Sequence, residues 1–219
     1  MTRSFTVIAN KGSGSHPEGE LRQHLRHALQ ERGMAVTFIE LDPASGNDLD
    51  IACDTAVRAA KARGDIVVAA GGDGTLNSVA SACHAHQTVM GIVPMGTFNY
   101  FAREHHIPTD IAAAIDLLAT GAPRPTRIGA VNTQAFLVNA SIGLYSSLIR
   151  HRESDKATFG RHRLVAAVSA VVSLFRASRV FHVTIDTPQG RIGRKTMMVF
   201  ICNNHLQMEK LGLAGGEDN

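Results

Sequence analysis

The chain has little that would tie it to a membrane span, an oxidising compartment or a nucleic acid. No run reaches the roughly 18 to 20 apolar residues that cross a bilayer, and Met1 to Asn10 holds no apolar core of a secretory signal. The three cysteines, Cys53, Cys83 and Cys202, are odd in number, widely spaced and outside any Cys-x-x-Cys pair. Each sits in an apolar periodic context, so they read as buried free thiols of a reducing cytosol. The net charge is only +3 over 219 residues, with a pI near 9.0. That mild excess suits an anionic nucleotide or an acidic membrane surface and falls short of the basic stripe of a nucleic-acid binder. The 11 histidines, including His84, His86, His105 and His106, lack metal-ligand spacing beside Cys or Glu and read as surface or capping residues. The expectation is a cytoplasmic protein whose membrane contact, if any, is peripheral at the inner surface.

Two standard nucleotide motifs are also missing. Gly-x-Gly-x-x-Gly fails because position 77 is Asn, and no Gly-Lys-Ser/Thr completes a Walker A loop. In their place stands Gly71-Gly72-Asp73-Gly74-Thr75-Leu76-Asn77, after the apolar run Ile66 to Ala70 and before a helical pattern. A buried strand ending in glycines can turn sharply with no side chain between backbone and ligand. Thr75 is expected to cap the following helix, whose amides and positive dipole end favour phosphate. Asp73 is out of place beside phosphate unless a cation lies between, which makes it the candidate for a Mg²⁺ contact.

With 44% apolar residues the chain can bury a sizeable core. Phe5 to Ala9 reads as a strand ending in the loop Asn10-Lys11-Gly12-Ser13-Gly14, a second candidate phosphate cradle. Pro17 opens a helix with Leu21, Leu25, Ala28 and Leu29 on one face, closed by Gly33. Val36 to Leu41 is a strand; Asp48 caps a helix with Leu49, Cys53, Ala56, Val57 and Ala60 inward and Gly64 at its end. Asp65 to Ala70 and Thr88 to Pro94 are further strands, the latter running into Met95-Gly96-Thr97-Phe98-Asn99. Helices follow from about Asn99 to His106 and from Asp110. Alternating strands and helices imply a parallel sheet with right-handed crossovers, so the loops at Asn10–Gly14, Gly71–Asn77 and Gly96–Asn99 converge on one sheet edge.

After Pro123 the pattern changes to hairpins: Thr126 to Val131 with Ala135 to Ala140, and Val180 to Asp186 with Lys195 to Cys202. The expected division is a Rossmann-like α/β domain over 1–123, then a mainly antiparallel β-sandwich domain over 124–219 with a helical insertion from about Leu144 to Arg179. Its strands are too few to close a sheet, so the sequence is expected to be C-terminally truncated, and uncovered apolar surface would favour a homodimer. Within the insertion, Leu164 to Phe175 is uncharged and bracketed by Arg161, His162, Arg163, Arg176 and Arg179. It reads either as a segment meeting a bilayer with anionic headgroups or as a helix buried against protein.

The block Gly71 to Asn77 matches in full the Gly-Gly-Asp-Gly-Thr-x-Asn hallmark of the diacylglycerol kinase catalytic-domain family, which includes bacterial lipid kinases and sphingosine kinases. Asn10-Lys11-Gly12-Ser13-Gly14 resembles that family's Asn-Pro-x-Ser-Gly loop, and Pro94 to Asn99 its Pro-x-Gly-Thr-x-Asn loop. Phe136 to Gly143 is similar to the segment opening its second domain. The resemblance implies a two-domain kinase that uses ATP and Mg²⁺ to phosphorylate a lipid hydroxyl such as that of diacylglycerol. It carries phosphate contacts onto Asn10, Ser13 and Gly14, the wrapping of phosphates onto Gly71, Gly72, Asp73, Gly74, Thr75, Leu76 and Asn77, and nucleotide contacts onto Gly96, Thr97 and Asn99. Asp73 is the candidate catalytic residue and metal contact. Lys11 stands where the family often has proline; its phosphate contact is inferred from its charge.

Two departures bear on activity. Tyr100 stands where the family commonly has Asp, and a tyrosine cannot serve as a carboxylate ligand to Mg²⁺ at neutral pH. The family's chains also continue further and carry a carboxylate general base there, and Glu217 and Asp218 lie too early to replace it. A lipid hydroxyl is a poor nucleophile, so poor turnover by this chain is expected. Two alternatives stay open: an NAD kinase-like enzyme, which shares Gly-Gly-Asp-Gly-Thr but typically has Asn-Glu where this chain has Asn139-Ala140, and a non-catalytic nucleotide- or lipid-binding protein.

Overall fold

The computed structural model describes residues 3–10, 18–42, 48–143, 180–210 and 212. Four parallel strands, β1 (Ser4–Asn10), β2 (Ala35–Leu41), β3 (Ile66–Gly71) and β4 (Met90–Pro94), form one sheet in the order β2-β1-β3-β4. Helices α1 (Glu18–Glu31), α2 (Leu49–Arg63) and α3 (Asp73–His86) connect them. The chain first winds outward from β1 to β2, then crosses back over β1 to β3. The switch in strand order therefore falls between β1 and β3, at whose C-terminal ends doubly wound folds receive ligands.

Strand alternation distributes the core to both faces of this sheet. Ile8, Val67 and Ala69 pack with Cys53 and Val57 of α2 and Leu76, Val79 and Cys83 of α3. Phe5, Val7, Val68, Ala70 and Val93 point the other way, onto Leu25 and Leu29 of α1 and Ile115 of a further helix, α5 (Ile111–Thr120). Burying each such aliphatic side chain contributes about 1.5–3 kcal/mol. The expected Asp48 cap forms, and Asp110 also caps its helix: Asp48 accepts from the Asp50 amide and Asp110 from the Ala113 amide, each at 2.9 Å. The opposite edge of the sheet is tied by Asp65, whose carboxylate accepts from the Thr6 hydroxyl at 2.7 Å and from Arg63 Nε at 2.9 Å.

The expected Thr75 cap is not what forms. Gly72 is the N-cap of α3, with φ −82° and ψ 178° and no side-chain capping bond, and Thr75 lies buried inside the first turn. Its side chain packs down on Gly71, where an added Cβ would fall 2.7 Å from the Thr75 Cβ. The hydroxyl is therefore turned toward the strand and away from a capping position.

By packing, the chain divides into two compact units, Met1–Val138 with Cys202–Asn219, and Asn139–Ile201. The first unit thus includes the antiparallel pair β5 (Gly129–Val131) and β6 (Gln134–Phe136), turned through Asn132 at φ 55°. The sequence division at 123/124 falls inside this unit, because Phe136, Leu137 and Val138 are buried there and the Ala135 amide bonds Ser81 Oγ at 3.1 Å. The first unit also regains the chain after strand β10 (Met198–Cys202), ending in α6 (His205–Lys210) beside α4 (Tyr100–Glu104).

In the second unit, β7 (Asn139–Gly143) pairs with β10, and β8 (Phe181–Thr187) pairs antiparallel with β9 (Gly190–Thr196). The expected partner of β8, Lys195 to Cys202, is corrected here. Thr187 stands opposite Gly190, so only Pro188 and Gln189 turn the chain, which fixes a register in which residues 190–196 pair with β8. The Met198–Cys202 segment is left to pair with β7. The proposed helical insertion, from about Leu144 to Arg179, lies outside the described residues.

Candidate functional site

The ladders place three loops side by side. Ala9 is level with Ala70, and Gly71 with Pro94, so Asn10, Gly71 and Pro94 end neighbouring strands at one edge. Asn10 is half-buried there, whereas Lys11, Ser13 and Gly14 lie outside the described residues.

The β3 and β4 loops touch through backbone. The Met95 amide donates to Gly71 O at 2.9 Å, and a Cβ on Gly96 would sit 2.7 Å from the Gly72 Cα. Such a spacing admits only glycine at 96 without backbone movement. Asn99 holds the second loop closed: its Oδ1 accepts from the Gly96 amide and its Nδ2 donates to Gly96 O, both at 2.8 Å. It does so from the left-handed region, φ 49° and ψ 45°, which asparagine tolerates better than most residues. Asn99 is 7% exposed, so its bonds are protected from water.

Asp73 is the first residue of α3, half-buried, and its Oδ1 accepts from the Phe101 amide at 3.4 Å, a long bond. The first intrahelical backbone bond of α3 runs from the Leu76 amide to Gly72 O, so the amides of Asp73, Gly74 and Thr75 precede the ladder. Gly74 and Thr97 are exposed. The edge thus combines a helix start, two glycines in van der Waals contact and one carboxylate, a set of groups able to receive an anion together with its cation.

Several residues from the motifs have side chains engaged in the scaffold. Leu76 is in the core and Thr75 is buried, so only their backbones are available to a ligand. Asn77 Oδ1 accepts from the Leu137 amide at 3.0 Å, tying α3 to the chain after β6. Tyr100 stacks on Phe98, with centroids 5.4 Å apart, and Lys210 Nζ lies 5.6 Å and 5.0 Å from the Phe98 and Tyr100 centroids. Sequence reading missed Phe98, Lys210 and the Asn203–Asn204 pair, whose side chains bond the Leu137 and Tyr100 carbonyls. Only the exposure of an aromatic inside a polar glycine loop could have drawn attention to Phe98. Among the described residues no cluster of three or more His, Cys, Asp or Glu side chains is arranged to hold a metal ion. Nor is any described helix long and apolar enough to cross a membrane.

A parallel β2-β1-β3-β4 sheet covered by helices on both faces, with glycine-rich loops at its switch point, defines a doubly wound α/β domain of the ligand-binding kind. The profile of the diacylglycerol kinase catalytic domain matches residues 4–131, and the chain belongs to that family. It is similar to the diacylglycerol kinase of Staphylococcus carnosus, 36% identical over 161 residues, 73% of this chain and 51% of the relative. The diacylglycerol kinase of Staphylococcus saprophyticus is 42% identical over 90 residues, 40% of this chain and 30% of that protein. The fold resembles the crystal structure of a diacylglycerol kinase from Bacillus anthracis, with TM-score 0.64 and 18% identity over 92% of this chain and 64% of that one. The chain therefore spans about a third to a half of these curated relatives and under two-thirds of the solved structure.

Proposed function

We propose that this chain carries the nucleotide-binding half of an ATP-dependent lipid kinase that transfers the γ-phosphate of ATP to a lipid hydroxyl such as that of diacylglycerol. The observation that carries the reading is the contact of Gly72 with Gly96 beside Asp73, at the edge where Asn10, Gly71 and Pro94 end their strands. Residues 1–123 are assigned to the nucleotide and the chain from 124 onward to the acceptor, except that 124–138 and the stretch from Cys202 pack with the first part.

The residues present suit Mg²⁺·ATP. Two loops that approach to backbone contact leave an uncluttered surface for phosphate oxygens, and the amides of Asp73, Gly74 and Thr75 supply donors at a helix start. Asp73 is a single carboxylate, which fits Mg²⁺, an ion commonly held by one or two carboxylates together with substrate phosphates and water. Bound there, Mg²⁺ would neutralise charge on the phosphates of the transferring group.

The protein's own groups then have distinct tasks. Gly72 and Gly96 admit the phosphates, Asn99 keeps the β4 loop in its closed form, and Asp73 offers its carboxylate to the cation while the Phe101 amide restrains one oxygen. The family resemblance assigns phosphate contacts to Asn10, Ser13 and Gly14 and a nucleotide contact to Thr97, and the charge of Lys11 suits a phosphate. No described side chain at this edge is assigned as the base for the lipid hydroxyl.

The test is transfer of labelled γ-phosphate from ATP to a panel of lipid alcohols, with diacylglycerol first, by the chain and by Asp73→Asn. Weak lipid phosphorylation by the chain, abolished by that substitution, is expected. Mg²⁺·ATP binding with no transfer to any lipid, even in a longer relative, would move the protein to the non-catalytic class, and transfer to NAD would make it an NAD kinase-like enzyme.

A further inference from the structure

After β10 the chain re-enters the first unit and lies against the back of the glycine loops. Asn204 is 2% exposed, and its Nδ2 donates to Tyr100 O at 3.1 Å while its Oδ1 accepts from the Gln207 amide at 2.9 Å. Next to it, the His205 amide donates to Glu104 Oε1 at 3.2 Å, and Lys210 lies over the Phe98 and Tyr100 rings. Asn203 reaches the other way: its amide donates to Val138 O at 2.8 Å, and its Nδ2 to Leu137 O at 3.1 Å and Arg127 O at 3.2 Å.

These bonds close a circuit. From Asp73 the α3 backbone leads to Asn77, which accepts from the Leu137 amide. Leu137 O accepts from Asn203, the neighbouring Asn204 holds Tyr100 O, and the Phe101 amide returns to Asp73. The phosphate-directed turn and the Tyr100–Phe101 start of α4, which directly follows the Gly96–Asn99 loop, are thus joined by one ring of polar contacts whose far side is Asn203–Asn204. A buried amide bonded at both ends resists displacement, because breaking either bond leaves a polar group unsatisfied.

We infer that Asn204, with Asn203 and Lys210, forms a brace that holds the Gly96–Asn99 loop against Gly72 and Asp73 in the form that receives nucleotide. This deepens the nucleotide reading of the site and rests on it. The three are positioning residues: none ends a strand at the cradle edge, Asn204 and Lys210 act through the backbone or rings of Phe98 and Tyr100, and Asn203 acts through the backbone of Arg127, Leu137 and Val138.

The experiment compares amide hydrogen exchange and Mg²⁺·ATP affinity in the 219-residue chain, Asn204→Ala, Lys210→Met and, as a control, Arg32→Ala, which breaks an ion pair to Asp116 in the same unit. In Asn204→Ala the Gly96, Phe101 and Arg103 amides are expected to exchange about tenfold faster, with Val67 to Ala70 unchanged, and the ATP Kd to rise about tenfold. Lys210→Met, at an exposed position, should raise both by about threefold, and Arg32→Ala should move neither. Should Asn204→Ala not fold, Lys210→Met decides. Unchanged exchange at Gly96 and Phe101 in the folded variants would overturn the brace. Faster exchange in a chain whose parent binds no ATP would support the brace and remove the nucleotide reading.

Discussion

Gly96→Ala probes the closest approach in the site. The added methyl would sit 2.7 Å from the Gly72 Cα and 2.9 Å from Asn99 Oδ1. The first neighbour is backbone at the start of α3 and cannot rotate away, so the two loops must separate by several tenths of an ångström. Overpacking of this kind costs about 1–3 kcal/mol. The second neighbour is the oxygen that accepts from the Gly96 amide, and weakening the paired Asn99 bonds adds about 1 kcal/mol. The expected loss is about 2–4 kcal/mol, which for a chain of this size lowers Tm by roughly 5–15 °C. Gly74→Ala is the internal reference. Among the described residues, no atom outside its chain neighbours and its own helix backbone lies within 4 Å of its added Cβ, and Gly74 sits in the first turn of α3, so alanine is neutral or stabilises by up to about 1 kcal/mol. Urea and thermal unfolding of both variants, followed by far-UV circular dichroism, make the comparison. Equal stabilities, or a larger loss at Gly74, would refute the contact on which the site is built.

Asp73→Asn should leave the unfolding free energy within about 0.5 kcal/mol of the parent's, since Asn retains an acceptor for the Phe101 amide, while weakening Mg²⁺-dependent ATP binding; titration with and without Mg²⁺ reads the difference. Asn77→Ala removes the acceptor of the Leu137 amide and should cost about 1–3 kcal/mol by urea unfolding. Cys53 and Cys83 are pushed up to about 12 and about 11, by burial in both and by nearby Asp50 as a further cause at Cys53. Both should therefore resist alkylation at pH 8 in the folded chain, and mass mapping of rapid modification at either would contradict their burial. Burial opposes ionisation of Asp65, but hydrogen bonds from Thr6, Ser4 and Arg63, with the Arg63 charge, outweigh it and hold its carboxyl below the usual value. Its contribution is then fully present above the ordinary carboxylate value of about 3.9 and is lost as pH falls through the lower folded value. Thr6→Val should move that loss to higher pH, as read from urea midpoints between about pH 2.5 and 6.

The parallel α/β part of the chain was largely legible because its signals are local. The run Ile66 to Ala70 could only be a buried strand, Cys53, Ala56, Val57 and Ala60 recur at helical spacing, and Asp48 and Asp110 cap where their positions indicate. Convergence of the Gly71 and Gly96 loops followed from parallel topology alone. What escaped depended on distant partners. The Asn204 bond to Tyr100 spans 104 residues and leaves no local pattern. The resemblance placed Asn77 among the residues wrapping phosphates and Asn99 among the nucleotide contacts; the side-chain bonds of Asn77 to the Leu137 amide and of Asn99 to Gly96 are a separate scaffold role that carries no local signal. Thr75 had the residue type and place of a cap, but packing onto Gly71 took its side chain elsewhere. The second hairpin had the correct turn and the wrong arm, because the pairing of β10 with β7 joins segments on either side of residues 144–179.

The most direct test of the nucleotide site is the map of backbone amide shifts on titrating Mg²⁺·ATP into the chain. The account predicts that the largest changes fall on Asn10, on Gly72 to Thr75 and on Gly96 and Thr97, and that they shrink together in Gly96→Ala. Absence of saturable shifts, or a map centred away from this edge of the sheet, would contradict it.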